Sequence, residues 1–147
     1  MSRTVIVDDE GVLYLQRVSL GPHVLKADEP LETGGNDEGP DPVDLLLASL
    51  GTCVSITVRM YATRKGWPVE GIHVELSWER FPTDGSRTSF KGSLVNGIEM
   101  HLSFTGPLSE EQEKRLIEIA NKCPVHRTLS APIPIRTTLA DVTTIDG

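Results

Sequence analysis

Cysteine is scarce in this chain: Cys53 and Cys123 are its only two. Two cysteines cannot form the disulfide framework of a small secreted domain, so each is either a buried small hydrophobe or a working thiol. Positive charge is also short. Fourteen Lys and Arg stand against 21 Asp and Glu, giving a net charge of −7 and a pI near 5.0. That balance excludes nucleic acid and anionic membrane as partners, because either needs a basic face. The uncharged run Leu45–Val58 falls below the roughly 18–20 apolar residues that a bilayer span requires. The opening MSRTVIVDDE has no long apolar core and no small-residue cleavage site. No signal peptide is visible, and a cytoplasmic location is expected. Internal repeats and low-complexity tracts are missing too. The acidic segment 28–40 lacks the regular Asp/Asn spacing of a calcium loop and reads as a solvated loop.

What is present is organised around Asp41–Lys65. Asp41 can accept from the first free N–H groups of a helix, and Pro42 follows where a missing N–H does no harm. Leu45, Leu46, Leu47, Ala48 and Leu50 favour helix, and Gly66 and Pro68 stop it. Such a rod, apolar nearly all round, has to be buried nearly all round. Ala48, Ser49, Gly51, Thr52 and Ser55 are small enough to let another backbone come close. Cys53 lies in the middle.

The flanking segments read mostly as strands. Thr4–Val7 and Val12–Val18 form a hairpin around Asp8-Asp9-Glu10-Gly11, with His23–Ala27 as a third strand. Ile72, Val74, Leu76 and Trp78 alternate with polar residues, the period of a strand with one buried face. Phe81–Ser89 reads as a loop. Phe90–Val95 and Ile98–Phe104 flank Asn96-Gly97, a two-residue hairpin signal. Ser109 caps a second helix, with Gln112 completing a capping box, and this helix ends near Cys123-Pro124. Ile133, Ile135, Thr137 and Leu139 form a closing run that Pro132 and Pro134 confine to a sheet edge. The order predicts an α+β fold with a largely antiparallel sheet and two main helices, in one domain over residues 1–147. One small sheet cannot cover the first helix, and a second copy of the chain is the simplest supplier of the missing cover. A homodimer is therefore expected.

The chemistry centres on the two thiols. Read from burial alone, they are core residues. Cys123, however, stands beside Pro124 with His126 and Arg127 just beyond, and a neighbouring cation raises the thiolate fraction. His126 reads equally as a base or as a helix-capping residue. A zinc site from Cys53, Cys123 and His126 is short of ligands. Arg59, off the face of Cys53, reads as a solvated helix end, and His23, His73 and His101 read as surface residues.

Pro42-Val43-Asp44-Leu45-Leu46, the small-residue helix into Gly51-Thr52-Cys53, and Cys123-Pro124-Val125-His126 together resemble the OsmC/Ohr family. These are the osmotically inducible and organic hydroperoxide resistance proteins, and the resemblance covers almost the whole chain. It implies an intertwined homodimer, two central helices wrapped by sheets, and thiol peroxidase chemistry on organic hydroperoxides. Cys53 matches the peroxidatic position and Cys123 the resolving one. A small dithiol or cellular thiol would reduce the resulting disulfide by exchange, with no cofactor and no metal. Active members carry a Glu directly after the proline that opens the first helix, and an upstream Arg. Here Val43 occupies the first position, with Asp44 one step later and about 100° round the helix. Arg17 is the upstream arginine. Asp44, Arg17, His126 and Arg127 are thus the candidate supporting residues. An alternative function on the same scaffold is a non-catalytic dimer that binds a small lipid-like ligand near Cys53. A third is a structural homodimer with both thiols buried.

Overall fold

Asp41 opens the central helix as expected. In the computed structural model, which describes residues 2–83 and 92–140, its carboxylate accepts from the Asp44 N–H at 2.7 Å. The Asp44 carboxylate accepts in turn from the Asp41 N–H at 3.2 Å. This reciprocal cap satisfies donors that the first helical turn leaves free. Helix α1 then runs from Pro42 to Lys65 and ends at Gly66. Gly66 has φ 70°, and its N–H returns to the Ala62 and Thr63 carbonyls. A residue without Cβ takes that left-handed conformation at little cost. Taken whole, α1 has the length and apolarity to cross a bilayer, although its uncharged run is shorter.

Within one chain α1 is buried on one side only. One stripe is enclosed: Leu50, Gly51, Val54, Val58 and Ala62. The opposite side stands open in the single chain, with Ile56 59% and Met60 64% exposed. The physical reason is supply: one two-stranded sheet and two helices pack on α1, and they cover one side of a cylinder.

The strands are antiparallel throughout, as expected, but fall into two sheets. The first holds β1 (Ile6–Asp9), β2 (Gln16–Leu20) and β3 (His23–Ala27) in that order. Its first turn lies later than the sequence suggested. Asp9 stays in β1, its carboxylate accepts the Gly11 N–H at 2.6 Å, and residues 10–15 make the connection. The second sheet pairs β4 (Gly71–Pro82) with β5 (Leu94–Thr105) along their full length, from Gly71↔Thr105 to Pro82↔Leu94.

This pairing overturns the Asn96-Gly97 hairpin. Asn96 lies opposite Arg80 and Gly97 opposite Glu79, inside a continuous strand. Gly97 is there for clearance, since a Cβ at 97 would collide with the Phe81 ring. Phe81 and Pro82, expected in a loop, belong to β4. The rest of that expected loop, beyond Thr83, and Phe90 lie outside the described residues. The two-residue periodicity itself holds: Ile72, Val74, Leu76, Ile98, Met100, Leu102 and Phe104 all pack on the core.

Helix α2 (Glu110–Ala120) carries the expected capping box between Ser109 and Gln112. It brings Leu116 and Ala120 onto the stripe of α1. A further helix not foreseen in the sequence, α3 (Pro124–Leu129), follows at once. The closing strand is also corrected. Residues 132–140 are exposed and make no ladder. Pro132 and Pro134 each lack an N–H, and among the described residues no strand pairs with this segment.

Val18 and Ala27 of the first sheet and Leu15 of its first connection are buried, yet none belongs to the core around α1. The chain exposes 11073 Å², about half again the ~7,400 Å² of a compact monomer of its mass. Apolar residues on the open side of α1 (Ile56, Met60), in β1 (Ile6, Val7) and in the tail (Ile133, Ile135, Leu139) are among those exposed.

Candidate active site

Cys53 lies on α1 one turn beyond Leu50 and is half-buried. It packs against the core cluster formed by Leu50, Val54, Val58, Leu116, Ala120 and Cys123. Cys123 arrives by a different route. Helix α2 stops at Ala120, and the chain turns through Asn121 and Lys122. Cys123 is then the N-cap of α3, with Pro124 in its first turn. Its sulfur accepts the His126 N–H at 3.2 Å, the place where a cap is usually an oxygen. The sequence held a signal for this, since Pro favours the first position of a helix.

Cys123 is 0% exposed, and it belongs to the core cluster against which Cys53 packs. Burial pushes the Cys123 thiol above its ordinary range; the His126 N–H pulls it partly back, and the Cys53 sulfur pushes it up again. Burial disfavours the charged form because a thiolate loses its hydration there. Burial therefore favours the thiol form of Cys123 over the thiolate.

The supporting candidates divide. His126 is half-buried beside the Cys123 sulfur. Asp44 is committed to the α1 cap, nine residues before Cys53 and thus about 13 Å away along the helix axis. Arg17 is exposed on β2, in the sheet that contributes nothing to the core around Cys53. Arg127 is exposed in the last turn of α3. Arg59 is not simply solvated, because its guanidinium donates to the Val69 and Glu70 carbonyls and ties α1 to the start of β4. His23, His73 and His101 are exposed, as expected. Among the described residues no group of three or more His, Cys, Asp or Glu side chains could hold a metal.

One turn from Cys53 along α1 a cleft of about 360 Å³ opens. Leu46, Leu50, Trp78, Ile98, Met100 and Leu129 give it apolar walls. Asn96, His126 and Ser130 supply the polar side chains. Sequence reasoning missed Trp78, Asn96 and Ser130, because only the β4–β5 register and the fold of α3 bring them together.

The fold and the site define an α+β protein with two antiparallel sheets that brings a thiol of a long central helix and a thiol at the start of a short one to the same core cluster. The family profile described as OsmC-like protein matches residues 34–138, and the chain belongs to that family. No match was found among curated proteins. Several solved structures share the fold. An OsmC-like protein from Mycoplasma pneumoniae is 23% identical with a TM-score of 0.66, over 88% of this chain and 88% of that one. A protein from Legionella pneumophila described as organic hydroperoxide resistance protein OsmC is 20% identical with a TM-score of 0.63, over 88% and 89%. An organic hydroperoxide resistance protein from Elizabethkingia anophelis is 15% identical with a TM-score of 0.61, over 86% of each chain.

Proposed function

We propose that this protein is a cytosolic, homodimeric thiol peroxidase that reduces organic hydroperoxides, with Cys53 as the attacking thiol and Cys123 as the resolving one. The observation that carries this reading is the meeting of two thiols from distant parts of the chain in one apolar core. Family membership and the names of the Legionella and Elizabethkingia relatives support it.

The Cys53 thiolate attacks the outer oxygen of R–O–O–H. The S–O bond forms, the O–O bond breaks, and its electron pair leaves on RO⁻, which takes up a proton and departs as alcohol. Sulfur is oxidised and the peroxide reduced. Cys123 then attacks the sulfenic acid, expelling water and closing a disulfide. A small dithiol or cellular thiol reopens it by exchange. The half-buried position of Cys53 suits this order, because the less enclosed thiol meets substrate while the fully enclosed one waits. Arg17 stands in a sheet that supplies nothing to the core around Cys53 in its own chain, so it would serve from the second copy.

The test mixes reduced protein with cumene hydroperoxide and titrates free thiols. Both thiols of each chain should vanish far faster than free cysteine reacts at the same pH, and Cys53→Ser should abolish the loss. Thiol loss no faster than that of free cysteine overturns the reading.

A further inference from the structure

The cleft one helical turn from Cys53, lined by Leu50 but by neither thiol, has one polar feature that the peroxidase chemistry above does not use. Ser130 Oγ lies 2.7 Å from the His126 carbonyl oxygen and 3.2 Å from His126 Nδ1. A hydroxyl has one proton to give. Spent on the carbonyl, at the shorter distance, it leaves Ser130 Oγ as the acceptor of a proton on Nδ1. A neutral imidazole protonated at Nδ1 carries its lone pair on Nε2. Nε2 makes no hydrogen bond among the described residues, and His126 lines the cleft.

The backbone holds this pair in place. The His126 N–H is given to the Cys123 sulfur, and the His126 carbonyl accepts both the Ser130 hydroxyl and the Ser130 N–H. The ring is therefore tied to the same short helix that sets the resolving thiol. Across the cleft lie Leu46, Leu50, Trp78 and Met100. The volume, about 360 Å³, suits a small organic molecule.

We propose that His126, fixed in one tautomer by Ser130, is the positioning residue of this cleft, and that it holds the O–H head of a small molecule whose apolar body lies on Leu50, Trp78 and Met100. The inference rests on the peroxidase reading, in which that head is the hydroperoxide group. An Nε2 acceptor takes a hydrogen bond from R–O–O–H or R–O–H and offers nothing to a carboxylate. The site thus selects neutral hydroperoxides with a compact apolar body over ionised acids.

Trp78 supplies a readout that needs no turnover, since it lines the cleft while Trp67 packs edge-on against Tyr61 at the far end of α1. The experiment titrates 2-phenyl-2-propanol, the alcohol product of cumene hydroperoxide, into full-length protein carrying Trp67→Phe and follows Trp78 fluorescence. The alcohol should perturb Trp78 saturably. His126→Leu should weaken the apparent affinity at least tenfold, while His126→Gln, which keeps an acceptor, stays within threefold. In turnover, His126→Leu should raise KM for cumene hydroperoxide by the same factor and leave kcat within threefold. Equal losses in the Leu and Gln variants would reveal a merely structural role and overturn the proposal. So would an unperturbed Trp78 in the parent protein, the result expected if a second copy or the tail fills the cleft. Thiol consumption that persists with His126→Leu at unchanged KM rejects the His126 role and leaves the peroxidase standing. His126-dependent binding without thiol consumption rejects the peroxidase and keeps the site.

Discussion

Replacing Cys123 separates two roles that the structure gives to one sulfur. As the N-cap of α3 it accepts the His126 N–H at 3.2 Å; as a fully enclosed side chain it fills space in the core. Cys123→Ala removes both. Loss of the cap costs about 1 kcal/mol, and deletion of one buried heavy atom costs about another 1 kcal/mol. Cys123→Ser deletes no heavy atom and returns an oxygen to the cap position, where Ser is a preferred residue; its cost is instead that of burying a hydroxyl in an apolar core, about 1 kcal/mol. The Ala variant should therefore unfold about 1 kcal/mol more easily than the Ser variant, which is about 4 °C in Tm for a chain of this size. The assay is urea unfolding of both variants under reducing conditions at one protein concentration. Chemistry should not follow that order. With one equivalent of cumene hydroperoxide, both variants should stall with a Cys53 sulfenic acid that dimedone traps, whereas the parent closes a disulfide. An Ala variant as stable as the Ser variant refutes the cap. A Ser variant that yields no trappable sulfenic acid while Cys53 still reacts refutes the resolving role.

The remaining predictions concern pH and assembly. Burial raises the Cys123 pKa, so the unfolded chain gives up this proton near the ordinary value of about 8.5 while the folded chain still holds it. The folded state then binds more protons, and stability present below that pH is lost as pH rises toward the folded value, by at most about 1.4 kcal/mol per unit. Urea unfolding between pH 7 and 10 should show a steeper decline for the parent than for Cys123→Ser, and equal slopes would contradict the assignment. Ile56, 59% exposed on the open side of α1, should lie in the dimer interface. Ile56→Asp puts one charge from each copy there and should weaken association at least 100-fold, about 2.7 kcal/mol. Sedimentation velocity over a concentration series measures this, and an unchanged dimer would move the interface elsewhere.

Much of the architecture was legible because its causes are local. Asp41 with Pro42, Ser109 with Gln112, and Gly66 act on backbone groups within about four residues, and they set the helix ends as read. The alternation from Ile72 and from Ile98 reports which strand face meets the core. Asn96-Gly97 misled because a dipeptide that favours a tight turn is also one that a long strand tolerates. The full β4–β5 ladder outweighs one turn preference, and Phe81 needs the missing Cβ. The tail misled because an edge strand exists only if another strand lies beside it.

By itself, then, the sequence determined where α1 begins and ends and where α2 begins, which strand faces are apolar, and that the two thiols belong to a family pattern. Only the tertiary structure decided that Cys53 and Cys123 are neighbours, that Cys123 caps α3, and that His126, Ser130 and Trp78 share a cleft. The difference is physical. Caps and periodicity depend on residues a few bonds or one turn apart, whereas the site depends on how α1, the β4–β5 ladder and α3 pack, which no short stretch of chain encodes.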